Sequence, residues 1–359
     1  MNKFPVLKIG NIELEVPIVQ GGMGVKISRA NLVSAVSNCG GLGVLASVAL
    51  WEELNMRSDY AKSSEDALRR EIRKTREKTD KPFGINILVA LSNYEALCRV
   101  CCEEKVDVIF SGAGLPLKLP QYVPDRNIKL VPIVSSGKAA DVILRHWKRR
   151  YDRLPDAVVV EGPMAGGHLG FSMEELENPP LLLDLVRDVK KVLDEYKDEK
   201  EIPLIAAGGI YTGKDILKAL EAGAGGVQMA TRFITTYECD ASDELKQACL
   251  DAKKEDVVIR KTPVGLPGRL LKNAFVERVI SGERIPFSCP YRCLKTCQPD
   301  KSPFCIADAL INASQGNLKE GFVMAGANVY RATKLISVRE LIDELIEDAF
   351  GATKVPSHA

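Results

Sequence analysis

Short apolar runs alternate with amphipathic segments over the first two thirds of the chain. Eight runs are rich in aliphatic residues, and the segments between them carry apolar residues at the three- to four-residue spacing of a helix. The apolar runs cover residues 16–20, 42–45, 83–89, 106–110, 130–134, 157–160, 204–207 and 226–229. The helical segments include residues 29–38, 65–78, 94–103, 137–149, 180–196 and 213–222. This alternation predicts repeated βα units around a parallel sheet.

The number of these units predicts an α/β fold of the (β/α)8 barrel type, since about eight units within roughly 200–250 residues are typical of such barrels. A doubly wound open sheet is the alternative. That fold would place a glycine fingerprint after its first strand and an acidic residue about 20 positions later. Residues 21–24 read Gly-Gly-Met-Gly instead, and glycines recur after most of the other strands. In a barrel these loops meet at the C-terminal face, so the glycines are expected to form one pocket.

The alternation of strands and helices ends after residue 236. Residues 243–254 have a helical pattern, whereas residues 262–269 contain too much Pro and Gly for a regular element. From there to the C-terminus the apolar spacing is helical, most clearly at 306–314 and 338–348. We therefore expect three parts, which are a barrel over 1–236, a smaller helical substrate or lid domain over 237–318, and a C-terminal segment over 319–359 that returns to the barrel.

Composition and charge favour a globular enzyme. The 359 residues include 46% hydrophobic residues, and 49 basic against 48 acidic side chains leave a formal net charge of +1. This balance does not favour nucleic acid or a membrane surface as a partner. No apolar window reaches 18 residues, and no signal-type segment follows Met1, so a cytoplasmic location is expected. A homodimer is left open.

The strand end at residues 158–171 is the first candidate site. Three valines are followed by four glycines within nine residues and by His168, one of three histidines in the chain. Clustered glycines allow a backbone to approach a ligand closely or to adopt positive φ. The segment predicts a site that presents His168, with a tight turn carrying a surface histidine as the alternative.

Two later strand ends predict a phosphate site. Residues 205–210 and 225–232 lie at the ends of the seventh and eighth runs, and each carries a pair of glycines. In barrels these two loops commonly bind phosphate through backbone N–H groups, although ordinary glycine-rich turns would have the same composition. Asn86 is a polar residue inside a buried strand pattern, where an unpaired amide costs a few kcal/mol, and Gln20 and Gln228 are similar cases. These amides need a partner such as the edge of a heterocycle or a neighbouring backbone.

Six motifs in order resemble the FMN-dependent nitronate monooxygenase family, formerly called 2-nitropropane dioxygenases, and its close relatives, the flavin-type enoyl-acyl-carrier-protein reductases. They lie at residues 17–24, 39–43, 82–86, 161–170, 205–210 and 227–233. The similarity recurs weakly at 321–327, and residues 262–269 with Asn273 look more like the monooxygenase branch. Pro163 and Met164 stand where many members carry a small or acidic pair, and Ala230 stands where glycine is common.

The resemblance implies a (β/α)8 barrel that holds non-covalent FMN at its C-terminal face. His168 would face the flavin ring from the substrate side as the catalytic residue. The positions implied to bind the cofactor are Gly22, Met23, Asn86, Gly167, Gly208, Gly209, Gln228, Ala230 and Thr231. Of these, Gly208, Gly209, Ala230 and Thr231 would hold the phosphate.

The implied reaction is the oxidation of alkyl nitronates with O2. A nitronate is an anion, so its site needs a cationic or hydrogen-bonding group, and His168 could serve. The same residue could donate to the carbonyl of an enoyl thioester, so an NAD(P)H-dependent enoyl-acyl-carrier-protein or quinone reductase is the alternative. A non-redox barrel that binds a phosphate-bearing ligand is a further alternative.

Four of the ten cysteines form a cluster in sequence, with the spacing Cys289-x3-Cys293-x3-Cys297-x7-Cys305. Four thiolates suit tetrahedral zinc or an iron–sulfur cluster. The spacing does not match the common zinc or ferredoxin patterns, so packed or free thiols are favoured, and a bound metal or cluster stays open. A cluster near FMN would favour an electron-transfer reductase.

Overall fold

The computed structural model describes residues 3–50, 60–289 and 291–351. Its first two strands, β1 (Leu7–Ile9) and β2 (Ile12–Leu14), form an antiparallel hairpin. The hydrophobic side chains of this hairpin are buried against inward-facing residues of the barrel strands, among them Val19 and Val159. The hairpin therefore covers the N-terminal end of the barrel.

Eight parallel strands close into a barrel, as the pattern of apolar runs predicts. In chain order they are β3 (Ile18–Gln20), β4 (Leu42–Ala46), β5 (Gly84–Leu88), β6 (Val108–Gly112), β7 (Lys129–Val134), β8 (Val158–Glu161), β10 (Leu204–Ala207) and β11 (Gly226–Met229). Each strand pairs with the next, and β11 pairs back with β3. The doubly wound alternative is excluded because that sheet would be open, and the α/β fold is a (β/α)8 barrel. The ninth strand, β9 (Gly167–His168), lies outside the barrel.

Helices surround the barrel, and each of the six predicted helical segments overlaps one of them. The helices are α1 (Ala30–Asn38), α2 (Tyr60–Arg76), α3 (Tyr94–Glu103), α4 (Leu119–Tyr122), α5 (Gly137–Tyr151), α6 (Leu182–Asp194), α7 (Gly213–Glu221), α8 (Thr231–Ile234), α9 (Asp243–Asp251), α10 (Ala274–Ile280), α11 (Ile306–Ser314) and α12 (Val338–Phe350). None of the helices in the described ranges is both long and apolar enough to cross a membrane.

The last helix, α12, completes the outer ring. The helix that follows the final barrel strand, α8, has only four residues, and α12 packs against α7 and α1 on either side of that gap. A capping box between Ser337 and Glu340 begins α12, which satisfies its first backbone N–H groups. A Cβ added to Gly213 at the start of α7 would lie 2.0 Å from the backbone carbonyl oxygen of Leu345 in α12. The glycine therefore lets the backbones of the two helices pack in direct contact.

The region 237–318, expected to be helical, also contains an antiparallel hairpin. Its strands are β12 (Val257–Lys261) and β13 (Pro267–Leu271), and β13 pairs in turn with β9. The region is therefore not helical throughout, and the segment expected to be irregular at 262–269 is a turn at 262–266 followed by the first three residues of β13. Gly268 lies opposite His168 in this small sheet. Periodicity along the chain cannot detect such pairing, because the partner strand lies about a hundred residues away.

Candidate active site

A cavity of about 810 Å³ opens at the C-terminal ends of the barrel strands. A smaller cavity of about 60 Å³ adjoins it, and the two share five lining residues. Those shared residues are Glu161, Gly166, Gln228, Ala230 and Thr231. The ten predicted site residues all line one or both cavities, so the structure brings together positions spread over more than 200 residues of sequence. Their roles remain predictions.

The alternation of side chains along each strand decides which polar residues face the cavity. In β8, Val159 belongs to the core inside the barrel, whereas Val158 and Val160 pack with the outer helices. Two residues after Val159, Glu161 must point inward as well. By the same rule, Ile85 and Val227 face outward, so Asn86 and Gln228 face inward.

Gln20 has the opposite orientation and does not line either cavity. It follows the inward-facing Val19, so its side chain points out of the barrel. There the amide donates to the Ser28 hydroxyl at 2.8 Å and accepts from the Val44 backbone N–H at 3.2 Å. Of the two partners expected for this amide, a heterocycle or a neighbouring backbone, Gln20 has the backbone. It is a structural residue that links β3 to β4.

The inward-facing amides of Asn86 and Gln228 have no such partner. Neither side chain forms a hydrogen bond with the residues that the structure describes, although both border the larger cavity. A Cβ added to Gly22 would lie 2.6 Å from the Cβ of Asn86, so only glycine lets the loop after β3 approach that side chain. Two amides with free donors and acceptors therefore face the space that a ligand would fill.

Glu161 is a candidate site residue that the sequence analysis missed. Its carboxyl lies where the two cavities meet, and burial raises its pKa to about 7. In register it stands beside Ala207, which in turn stands beside Gln228. The signal was present in the sequence, because a charged residue directly after three buried valines, two positions beyond an inward-facing one, must point into the barrel.

The smaller cavity has walls of backbone. Gly208 and Gly209 adopt φ values of +94° and +92°, and a Cβ on Gly208 would lie 2.6 Å from the carbonyl oxygen of Gly162. Opposite them, the Thr231 hydroxyl accepts from the Gly326 backbone N–H at 2.9 Å. The Asn328 amide donates to the Gly209 carbonyl at 2.8 Å, so the segment before α12 closes this cavity from the far side.

His168 is held by the small sheet at the edge of the larger cavity. Its Nε2 lies 3.0 Å from the Thr262 hydroxyl, and Thr262 donates to the Leu266 carbonyl at 3.0 Å. Burial lowers the pKa of the His168 imidazole to about 4. The ring is therefore neutral at neutral pH, so His168 would meet an anionic substrate as a hydrogen-bonding group rather than as a cation.

Arg269, the last residue of the segment 262–269, is a second site residue that the sequence alone did not identify. Its Nε donates to the Ala165 carbonyl at 3.0 Å, and its terminal nitrogen donates to the Pro163 carbonyl at 2.6 Å. In β13 it pairs with Gly167, so one strand fixes both the glycine loop and the histidine. The guanidinium orders the loop that separates the two cavities.

The four clustered cysteines lie in the segment that leads into α11. Cys293 is 8% exposed and borders the larger cavity, while Cys305 directly precedes α11. All four are free thiols, and burial raises the pKa of Cys293 and of Cys305 to about 12. Within the described ranges, no three Cys, His, Asp or Glu side chains are arranged to hold a metal ion.

The low pKa of His168 has a measurable consequence. We expect its imidazole to titrate near pH 4, below its ordinary value of 6.5, because the cavity disfavours the charged ring. As the pH falls, the His168 imidazole is protonated in the unfolded chain before it is protonated in the folded protein. Its contribution to the free energy of unfolding is therefore complete above pH 6.5 and is lost as the pH falls toward 4. An NMR titration of protein labelled with ¹⁵N-histidine checks this, and a midpoint near 6.5 for His168 would contradict it.

The fold and the two cavities define a (β/α)8 barrel with a candidate active site at the C-terminal ends of its strands. The sequence model of the nitronate monooxygenase family matches residues 6–97 and 90–348. The chain belongs to this family of oxidoreductases.

Three relatives illustrate the range of the family. The (3aS,4S,5R,7aS)-5-hydroxy-7a-methyl-1-oxo-octahydro-1H-indene-4-carboxyl-CoA dehydrogenase of Mycobacterium tuberculosis is 32% identical over 273 residues, which cover 76% of this chain and 68% of that protein. A probable nitronate monooxygenase of Staphylococcus aureus is 27% identical over 305 residues, covering 75% and 78%. The structure of FabK from Thermotoga maritima superimposes with a TM-score of 0.74 at 30% identity, covering 94% and 93%.

Proposed function

We propose that this protein is an FMN-dependent oxidoreductase that oxidises alkyl nitronates with O2. The observation that carries the proposal is the pair of joined cavities. The smaller one is walled by the backbone of Gly208 and Gly209, where no side chain keeps an anion away from the N–H groups. The larger one offers the unpaired amides of Asn86 and Gln228. These features fit the phosphate and the heterocyclic ring of a flavin mononucleotide.

The lining residues suggest how the two cavities would share the cofactor. Gly208, Gly209, Ala230 and Thr231 would hold the phosphate in the smaller cavity. Gly22, Met23, Asn86 and Gly167 would line the ring in the larger cavity. Glu161 and Gln228 stand at the junction, where a carboxyl and an amide suit the hydroxyl groups of the ribityl chain. The bound flavin supplies the electron-transfer chemistry.

His168 would act on the neutral nitroalkane from which the nitronate forms. Its imidazole would accept the proton from the carbon that bears the nitro group, and the negative charge formed beside it would offset the cost of a buried charge on the ring. Arg269 maintains the geometry through the loop at residues 163–165.

A specific observation favours a second candidate function, the oxidation or reduction of an acyl thioester. Beyond His168 the larger cavity extends along apolar side chains that include Leu115, Leu294, Ile306 and Leu310. A small nitronate does not need this surface, whereas an acyl chain or ring system would bury its apolar area there. The related dehydrogenase of M. tuberculosis is named for a bicyclic carboxyl-CoA substrate, which agrees with such a shape. In this alternative NAD(P)H or the thioester itself reduces the cofactor.

Cofactor analysis and two assays test the proposal. The purified protein, denatured after incubation with FMN and gel filtration, should release one FMN per chain. Propyl-2-nitronate in air should then support steady O2 consumption in an oxygen electrode. No retained flavin would contradict the proposal and favour the non-redox alternative. Rapid anaerobic bleaching of the flavin by NADH or NADPH, followed by reoxidation of the flavin as an added enoyl thioester is reduced to the saturated acyl thioester, with no nitronate turnover, would establish the second candidate.

A further inference from the structure

Thr262 stands between the catalytic candidate His168 and the turn that joins β12 to β13. It is buried, and its hydroxyl oxygen is 3.0 Å from His168 Nε2 and 3.0 Å from the carbonyl oxygen of Leu266. The Thr262 backbone N–H also donates to the Leu266 carbonyl at 3.0 Å, which closes the turn. The hydroxyl thus has two neighbours and a single proton to share between them.

The Leu266 oxygen decides where that proton lies. Two oxygen atoms 3.0 Å apart repel unless a proton lies between them, and the hydroxyl of Thr262 is the group that can supply one to this contact. The hydroxyl therefore donates to Leu266 and offers only its lone pairs to His168. The contact with Nε2 is then a hydrogen bond only if Nε2 carries the proton.

We propose that Thr262 fixes His168 in the neutral tautomer with the proton on Nε2, which leaves Nδ1 as the basic nitrogen offered to the substrate. The inference rests on the proposed function and names Thr262 as a positioning residue for it. In the proton-transfer step the substrate C–H bond breaks, and an N–H bond forms at Nδ1. The electron pair stays on the substrate as a nitronate, and the ring becomes an imidazolium that still donates to Thr262 through Nε2.

Local packing holds Thr262 in this arrangement. Gly268 pairs with Arg260 across the hairpin and packs against Thr262, because a Cβ at that position would lie 2.7 Å from the Thr262 methyl carbon. Gly268 also pairs in register with His168, so the hairpin sets the positions of both side chains at once. Thr262 directly follows β12 and its backbone is hydrogen-bonded within the turn, so its hydroxyl is held in place and the tautomer is set before the substrate arrives.

Nitrogen-15 NMR of histidine-labelled protein tests the tautomer without reference to activity. The chain has three histidines, so the spectrum contains three imidazole systems, and His168→Ala assigns the relevant one. In FMN-loaded wild-type protein we expect a protonated Nε2 and an unprotonated Nδ1 for His168. In Thr262→Val, which keeps the shape but removes the acceptor, we expect the tautomers to mix. A wild-type ring protonated at Nδ1 would overturn the inference.

Kinetics supply the second measurement. In Thr262→Val we expect kcat with a neutral nitroalkane to fall by about 10- to 100-fold, within the range of general acid–base catalysis. Turnover of the preformed nitronate should change by much less, because that substrate has no proton to give. Thr262→Ser keeps the hydroxyl and should restore both the spectrum and kcat.

Thr75→Val is the matched control, since Thr75 is also buried and its hydroxyl donates to a backbone carbonyl, that of Glu71, at 2.8 Å. If Thr262→Val behaves like Thr75→Val in both spectrum and rate, the inference is wrong. If the tautomer is as expected but no FMN is retained, the proposed function fails while the assignment of Thr262 stands.

Discussion

Replacing His168 by alanine should lower kcat by about 10²- to 10⁴-fold, the contribution typical of a general acid or base, while FMN stays bound. His168 borders only the larger cavity, whereas the proposed phosphate contacts belong to the smaller one. Steady-state O2 consumption with a nitroalkane measures the loss. Absorbance of the flavin after gel filtration measures retention of the cofactor.

His146→Ala is the control for this experiment. His146 lies on α5, away from both cavities, and its ring contacts Tyr151 edge-on. Its replacement should leave kcat and flavin content unchanged. Wild-type turnover in His168→Ala would remove the role assigned to the residue. Loss of FMN together with activity would instead place His168 in cofactor binding.

Gly208→Ala should abolish stoichiometric FMN binding. An alanine at φ +94° costs about 1–2 kcal/mol in backbone strain. Its Cβ would in addition lie 2.6 Å from the Gly162 carbonyl oxygen, so one wall of the smaller cavity has to move. We expect FMN affinity to fall by at least about tenfold, which corresponds to roughly 1.4 kcal/mol. Titration of flavin fluorescence measures it.

Gly282→Ala separates strain from the effect on the site. Gly282 has a φ of +91°, and a Cβ there meets no atom within 4 Å. This variant should lose a similar amount of thermal stability, measured as Tm, and should bind FMN as the wild type does. Equal FMN affinity in the two variants would show that the Gly208 backbone is not part of the cofactor site.

The barrel could be predicted because its signal is local. A strand buried on both faces is a short run of aliphatic residues, and a helix that covers it has apolar residues every three to four positions. Each βα unit can therefore be recognised within about 20–30 residues. The loops at 205–210 and 225–232 could be located for the same reason, since strand order alone places them side by side in a closed barrel.

The hairpin over the site could not be predicted in this way. Residues 262–269 read as irregular, yet Pro267–Leu271 is a strand because Gly167–His168 offers it an edge. The role of Thr262 arises from the same pairing, and so does that of Arg269. Glu161 falls between these cases, because its inward direction follows from counting along β8 once the barrel is accepted.

The sequence by itself determined the barrel, the loops that carry its glycines and the identity of His168, because all of these follow from periodicity and chain order. Only the tertiary structure decided that the Gln20 amide has hydrogen-bond partners whereas Asn86 and Gln228 border the cavity, that burial lowers the pKa of His168, and that Thr262 contacts its Nε2. The physical reason is that burial and strand pairing depend on contacts between segments that are far apart in the sequence. A proton on one nitrogen depends on a hydroxyl 94 residues away.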